Sequence, residues 1–229
     1  MQIKAKANEE QLKKKNSEKK ISVKKQYWIE KHFNSNKEKN FLEKQINPVL
    51  SRLLSSRNVE ANNFEDYMNP KIKNILPDPF ILHDMEIATN KIVEIIKEKK
   101  KIGIFGDYDV DGSTSTALLS KYLREAGVEF EFYIPDRIKE GYGPNEDAFT
   151  RLVDSNCELI ITLDCGTTAF KEIDFTNKKG VDVIVIDHHK QGKELPKAFA
   201  IVNPNKQSDN SNLVNLCAAG VTFLLLVSL

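Results

Sequence analysis

From residue 101 onward, short apolar runs alternate with longer stretches of mixed polarity. KIGIFG (101–106), EFEFYI (129–134), ELIITL (158–163) and VDVIVI (181–186) are brief, rich in β-branched and aromatic residues, and bounded by charge, which reads as strands. Between them, 113–126, 146–154 and 168–178 read as helices. The first is stopped by Gly127, a residue suited to the left-handed position after a helix. AIVN (200–203) predicts a fifth short strand, and 216–229 opens a further apolar helix. Apolar strands alternating with helices predict an α/β fold, a doubly wound and mostly parallel sheet covered on both faces.

Upstream the rhythm is helical and interrupted. Stretches around 28–44, 46–56 and 63–68 have helical spacing, broken by Pro48, a polar patch at 57–63 and Pro70. LPDPF (76–80) reads as an extended linker, because residues before proline avoid the helical region. Asp84 is placed to cap a helix whose Met85, Ala88, Ile92 and Ile95 share one face and whose end carries Lys97–Lys101. The resulting division is a basic, disordered arm over 1–25, a helical N-terminal region and linker over 26–98, and the sheet domain over 99–229.

Composition adds compartment and charge. No apolar run approaches a membrane span, and the lysine-rich start has no apolar stretch behind it to make a secretory signal. Cys157, Cys165 and Cys217 form neither a C-x-x-C pair nor an even set, which argues for a reducing, cytoplasmic setting. The net charge is +1, but residues 1–44 hold 13 lysines against 6 acids, a balance of +7 that leaves −6 on the rest. A basic arm on an acidic body suits a polyanionic partner only if cations offset the acids.

Those acids fall at strand ends. The four runs lead into Asp107, Asp136, Asp164 and Asp187, with Asp109 and Asp111 close behind the first. In an open parallel sheet that is the edge where ligands bind. A calcium EF-hand loop would need glutamate at the twelfth position from Asp107, where Leu118 stands. Neither a P-loop nor G-x-G-x-x-G is present. The remaining reading is a Mn²⁺ or Mg²⁺ centre, two ions of which would neutralise the carboxylates and clamp a phosphoryl displacement. The free N–H groups of the helix starting after Gly112 are expected to face an anionic substrate. His188 and His189, adjacent in IDHHK, point different ways, so one can bind metal while the other meets a phosphate and Asp187 orients a ring. His32 and His83 are read as idle.

Five ordered blocks, GDYDVDGSTSTAL (106–118), IPDRIKEGYGPN (134–145), LIITLDCGTT (159–168), VIVIDHHKQGKELPKAFAIVNPN (183–205) and LCAAGVTF (216–223), resemble the DHH phosphoesterase superfamily. GYGPN and the upstream 76–92 segment are similar to its RecJ family of single-stranded-DNA-specific exonucleases. The resemblance covers about residues 45–229. It implies two metal ions held by Asp109, Asp111, Asp164 and His188, with Asp164 bridging and Asp107 auxiliary. It implies His189 on the scissile phosphate and attack by a metal-activated water, with Asp187, His188 and His189 as the catalytic triplet. Arg137, Gly141, Tyr142 and Gly143 would lie along the DNA. The implied activity is 5′-to-3′ degradation of single-stranded DNA in repair and recombination, alongside DNA-repair proteins. Alternatives are a short-oligonucleotide or cyclic-dinucleotide phosphodiesterase, or a non-catalytic fragment. Such enzymes carry a further metal-binding aspartate and DNA-gripping domains downstream. The sheet domain is therefore expected to be truncated at its C-terminal end, and this chain alone to be weak or inactive.

Overall fold

The computed structural model describes Lys24 and residues 31–229. The lysine-rich arm over 1–25 and the start of the first helical stretch therefore lie, but for Lys24, outside the described residues. Two compact units are present, the first ending at Leu76 and the second spanning Pro77–Leu229.

In the first unit, helices α1 (Ser35–Glu43) and α2 (Pro48–Ser56) begin at asparagines. Asn34 accepts hydrogen bonds from the Asn36 and Lys37 amides, and Asn47 accepts one from Val49. Pro48 occupies the first helical position, where its missing N–H costs nothing. Phe41, Leu54 and Val59 form a small core with Phe64 packed against it. Phe64 opens α3 (Phe64–Met68), and α4 (Ile72–Ile75) follows.

The second unit contains α5 (Met85–Lys97), β1 (Ile102–Gly106), α6 (Val110–Glu125), β2 (Phe130–Tyr133), α7 (Glu146–Asp154), β3 (Leu159–Leu163), α8 (Phe170–Lys178), β4 (Asp182–Ile186), β5 (Ala200–Val202) and α9 (Ala218–Ser228). The strands form one sheet in the order β2-β1-β3-β4-β5, and every pairing is parallel. Alternate residues face opposite ways, so Ile102, Ile104, Ile161, Ile184 and Val202 join the core under α5, α6 and α9. Phe105, Ile160, Val183, Val185 and Ile201 join the core under α7 and α8. The fold is the expected doubly wound α/β sheet. Gly127 ends α6 at φ +68°, with the Val128 amide donating back to the Leu123 carbonyl.

Three expectations are corrected. The boundary between compact units falls at Leu76/Pro77 rather than residue 98, because the apolar face of α5 (Met85, Ala88, Ile92, Ile95) is buried in the sheet core. LPDPF is not extended throughout, since Pro79–Ile81 form a 3₁₀ turn capped by Asp78. Asp84 does not cap α5. It sits at φ +68° without a side-chain capping bond, and its carboxylate accepts from the Lys206 ammonium and the Ile201 amide at 2.6 and 3.2 Å.

Candidate metal centre

The pairings Gly106↔Leu163, Leu163↔Ile186 and Ile186↔Val202 put the strand ends in one row. The ladder continues one residue further. Asp107 N donates to Leu163 O (3.1 Å), Asp164 N to Ile186 O (2.9 Å) and Asp187 N to Val202 O (3.1 Å). Asp107, Asp164, Asp187 and Asn203 therefore stand in line across the carboxyl edge, each essentially inaccessible. The strand order reverses between β1 and β3, which makes Asp107 and Asp164 the two sides of the switch-point crevice.

The β1–α6 turn folds tightly over this row. A Cβ on Gly112 would lie 2.4 Å from the Asp107 carbonyl oxygen, so only glycine lets the helix start so close to the strand end. Asp109 caps α6, accepting from the Asp111 and Gly112 amides at 2.8 and 3.0 Å. The bond from Gly112 leads the causes that hold its pKa below the usual carboxylate value. Capping is also why α6 begins at Val110 and not at 113, and it corrects the expectation of free N–H groups awaiting a substrate anion there. Asp111 faces the last helix: its two oxygens accept from the Ala218 and Ala219 amides at 2.8 and 2.7 Å. Asp136, by contrast, is a turn residue that accepts from Ile138 N and Lys139 N.

Asp107, Asp109 and Asp164 bring one ligand atom each within 4.8 Å of one another, and so do Asp164, His188 and His189. Asp164 is common to both groups. Asp111 stands outside them, its Oδ2 3.5 Å from His188 Nε2. Asp164 is held at φ +63°, a left-handed conformation that aspartate tolerates better than most residues. Burial, then its hydrogen bond to Asp109 and the Asp111 and Asp109 charges, push its pKa up to about 8. Burial likewise raises Asp107. Oδ1 of each is buried without a hydrogen-bond partner among the described residues. Two orphaned carboxylate oxygens beside imidazole nitrogen fit a hard divalent cation such as Mn²⁺ or Mg²⁺.

The histidines are held differently. His188 Nδ1 lies 3.2 Å from the Leu216 carbonyl, which can only accept, so the proton sits on Nδ1. The Nε2 lone pair is left toward Asp164 Oδ1 at 3.3 Å and Asp111 Oδ2 at 3.5 Å. His189 Nδ1 meets Asp187 Oδ1 at 2.7 Å. That bond, resisted by burial, lifts His189 to about 9. Burial alone would raise Asp187; bonds from His189, Thr167 and the His189 amide outweigh it and hold Asp187 at about 2.

On the open side, the Tyr142 hydroxyl is 3.4 Å from His189 Nε2, and its ring meets His189 and Tyr108 edge-on. The Arg137 guanidinium lies 5.3 Å from the Tyr108 ring centre. Gly141 and Gly143 flank Tyr142 at φ +83° with open space where a Cβ would go, so backbone conformation rather than room calls for glycine. A cavity of about 290 Å³ separates Tyr142 and Pro144 from Gly166 and Thr167 and reaches Asp187 and His189.

Residues 101–228 match the family model described as DHH family, N-terminal domain. The chain belongs to the DHH family. This DHH chain is 39% identical over 181 residues to the single-stranded-DNA-specific exonuclease RecJ of Bacillus subtilis, covering 79% of itself and 23% of that protein. Its identity to RecJ of Escherichia coli is 32% over 186 residues, 81% of this chain and 32% of the relative. The chain thus spans roughly a quarter to a third of the length of these relatives. Among solved structures, exonuclease RecJ bound to manganese is 35% identical with a TM-score of 0.59, covering 64% of this chain and 37% of that one. RecJ from Thermus thermophilus in complex with Mn²⁺ is 27% identical with a TM-score of 0.67, covering 85% and 27%.

The DHH domain also contains partners that the sequence reading passed over. Thr167 donates to Asp187 Oδ2 from both its hydroxyl (2.6 Å) and its amide (3.1 Å). Tyr108 lies between Arg137 and Tyr142. Thr167 and Tyr108 lie within 159–168 and 106–118, where two threonines after a strand and a tyrosine between aspartates have no pattern of their own. The His83 Nδ1 lies 2.8 Å from an Asp84 carboxylate oxygen.

Proposed function

We propose that this chain carries the phosphodiester-cleaving face of a single-stranded-DNA-specific exonuclease that degrades DNA from the 5′ end. Its setting would be DNA repair and recombination in the cytoplasm. The observation that carries the reading is the convergence of Asp107, Asp109, Asp164 and His188, with Oδ1 of Asp107 and of Asp164 buried and unpartnered among the described residues. Likeness to proteins named as RecJ, two of them solved with manganese, supports the substrate and the metal.

In this reading Asp107, Asp109, Asp164 and His188 hold Mn²⁺ or Mg²⁺, with Asp111 at the edge of the group. Bound there, the metal supplies Lewis-acid charge and a water of lowered pKa. Asp164, shared by both ligand groups, sets where they meet. Leu216 fixes the His188 tautomer so that Nε2 presents a lone pair. His189, kept protonated at neutral pH by Asp187, offers an N–H to a phosphate oxygen. The exposed Tyr142 ring suits base stacking, and Arg137 suits the phosphate backbone.

Single-turnover cleavage, with protein in excess, tests this using 5′- and 3′-labelled single strands, a duplex and a dinucleotide. Mn²⁺-dependent release of nucleotides from the 5′ end of the single strand, abolished by chelator, is expected. Cleavage of the dinucleotide alone, or of no substrate, would overturn the reading.

A further inference from the structure

Behind the two histidines lies a pair of asparagines, each aimed at the backbone of one of them. Asn203, wholly buried, donates from Nδ2 to the His189 carbonyl (2.8 Å) and to the Thr167 hydroxyl oxygen (3.0 Å). Its Oδ1 accepts from the Asn205 amide at 2.8 Å. Asn205 Nδ2 donates to the His188 carbonyl (2.7 Å) and to the Val214 carbonyl (3.3 Å). Carbonyl oxygens only accept, so these contacts require amide nitrogen and no carboxylate can replace it. Val214 is two residues from Leu216, whose carbonyl takes the His188 Nδ1 proton. Asn205 therefore ties the His188 backbone to the segment that fixes the His188 ring. The turn carrying both asparagines is anchored by Lys206, which is buried. Its ammonium donates to Asp84 Oδ2 at 2.6 Å and to the Ile201 carbonyl.

We propose that Asn203 and Asn205, pinned by the Lys206–Asp84 pair, are positioning residues that set the ring orientation of His188 and His189 and the tautomer of His188. The inference rests on the metal-centre reading only for its metal readout. Losing an outer hydrogen-bond partner of this kind lowers metal affinity about 10- to 100-fold in known metal sites. Asn205→Asp keeps shape but replaces both N–H donors by an oxygen that repels two carbonyls. Asn205→Ala removes the donors without adding charge, and serves should the first variant not fold.

Two measurements on the folded 229-residue chain decide it. The first is ¹⁵N NMR of the histidine rings at about pH 8, without metal, where an unperturbed imidazole is neutral. The wild type should show the Nδ1-protonated tautomer at His188, and the Asn205 variants a mixture of both tautomers. The second is Mn²⁺ titration followed by electron paramagnetic resonance, well below the melting temperature, where the variants should bind about tenfold or more weakly. A purely structural role would lower the melting temperature and leave both readouts unchanged, and that result would overturn the proposal. If the wild type itself takes up no Mn²⁺, the metal reading fails, and the tautomer alone judges the asparagines: a wild-type tautomer in the variants refutes them, a mixture upholds them.

Discussion

Thr167→Val replaces a hydroxyl by a methyl of similar size at a site nearly closed to water. Thr167 Oγ1 stands 2.6 Å from Asp187 Oδ2 and receives a bond from Asn203 Nδ2, and all three side chains are buried. The variant loses one charge-assisted bond, worth about 1.5–3 kcal/mol net, and leaves one Asn203 N–H unpaired, costing about 1–2 kcal/mol more. The sum, roughly 2.5–5 kcal/mol, lowers the melting temperature of a unit of this size by roughly 5–20 °C. A pH dependence accompanies it. Asp187 is held at about 2, below its unfolded value, so its contribution is present above about pH 4 and is lost as pH falls toward 2. The variant raises the folded-state pKa toward the unfolded value, so its loss of stability below about pH 4 is smaller and ends at a higher pH, and the gap from wild type narrows on acidification. Thermal unfolding followed by circular dichroism between about pH 7 and pH 3 reads both effects. A variant melting within about 2 °C of wild type at neutral pH would show that the hydroxyl bond contributes nothing net, and the argument from burial would fail.

Three further outcomes follow from the same geometry. Asp164 is pushed up to about 8, so its ionised form costs stability increasingly from about pH 4 to pH 8; Asp164→Asn, which tolerates the left-handed backbone, should raise stability in chelator by an amount on the order of a few kcal/mol while abolishing stabilisation by Mn²⁺. A lower melting temperature in chelator would contradict this. Gly112→Ala places a Cβ against the Asp107 backbone at 2.4–2.7 Å, and should cost about 3 kcal/mol or more in urea unfolding, because no flexible side chain can give way. Tyr142→Ala should weaken single-strand binding by about 1–3 kcal/mol per base stacked, with little change in melting temperature; unchanged affinity by fluorescence anisotropy would remove Tyr142 from the DNA path.

The sheet was legible because four of its five strands are almost wholly buried, and apolar runs such as LIITL and VIVI alternating with helices suit a parallel sheet covered on both faces. The strand-end aspartates were legible for the same reason, since strand ends place them at a known edge. Asp136 misled because a strand-end aspartate that caps its own turn looks the same in sequence as one that faces a crevice. Asp84 misled in the same way: its position before an apolar face suggested a cap, but the buried Lys206, 122 residues away, takes its carboxylate. Asp111 shows the limit most clearly. Spacing alone made it equivalent to Asp109, yet Asp109 turns back onto its own helix while Asp111 reaches the amides of Ala218 and Ala219. Partnerships that depend on distant loops carry no local period, so Thr167, Asn203 and Asn205 emerge only once the loops are folded together.

The row formed by Asp107, Asp164 and Asp187 has a consequence for how tolerant this centre is to change. Neighbouring strands in any sheet are spaced about 4.8 Å apart, so the distance between successive carboxylates is inherited from the main chain and acts as a ruler that no single side chain calibrates. Residues behind the row can be exchanged for others of similar bulk without resetting it. A one-residue insertion in β3, however, would move Asp164 out of the line and turn the residues on one side of the insertion to the opposite face of the sheet. The dimension most critical to the chemistry is thereby entrusted to the backbone, the part of the protein that point substitution alters least.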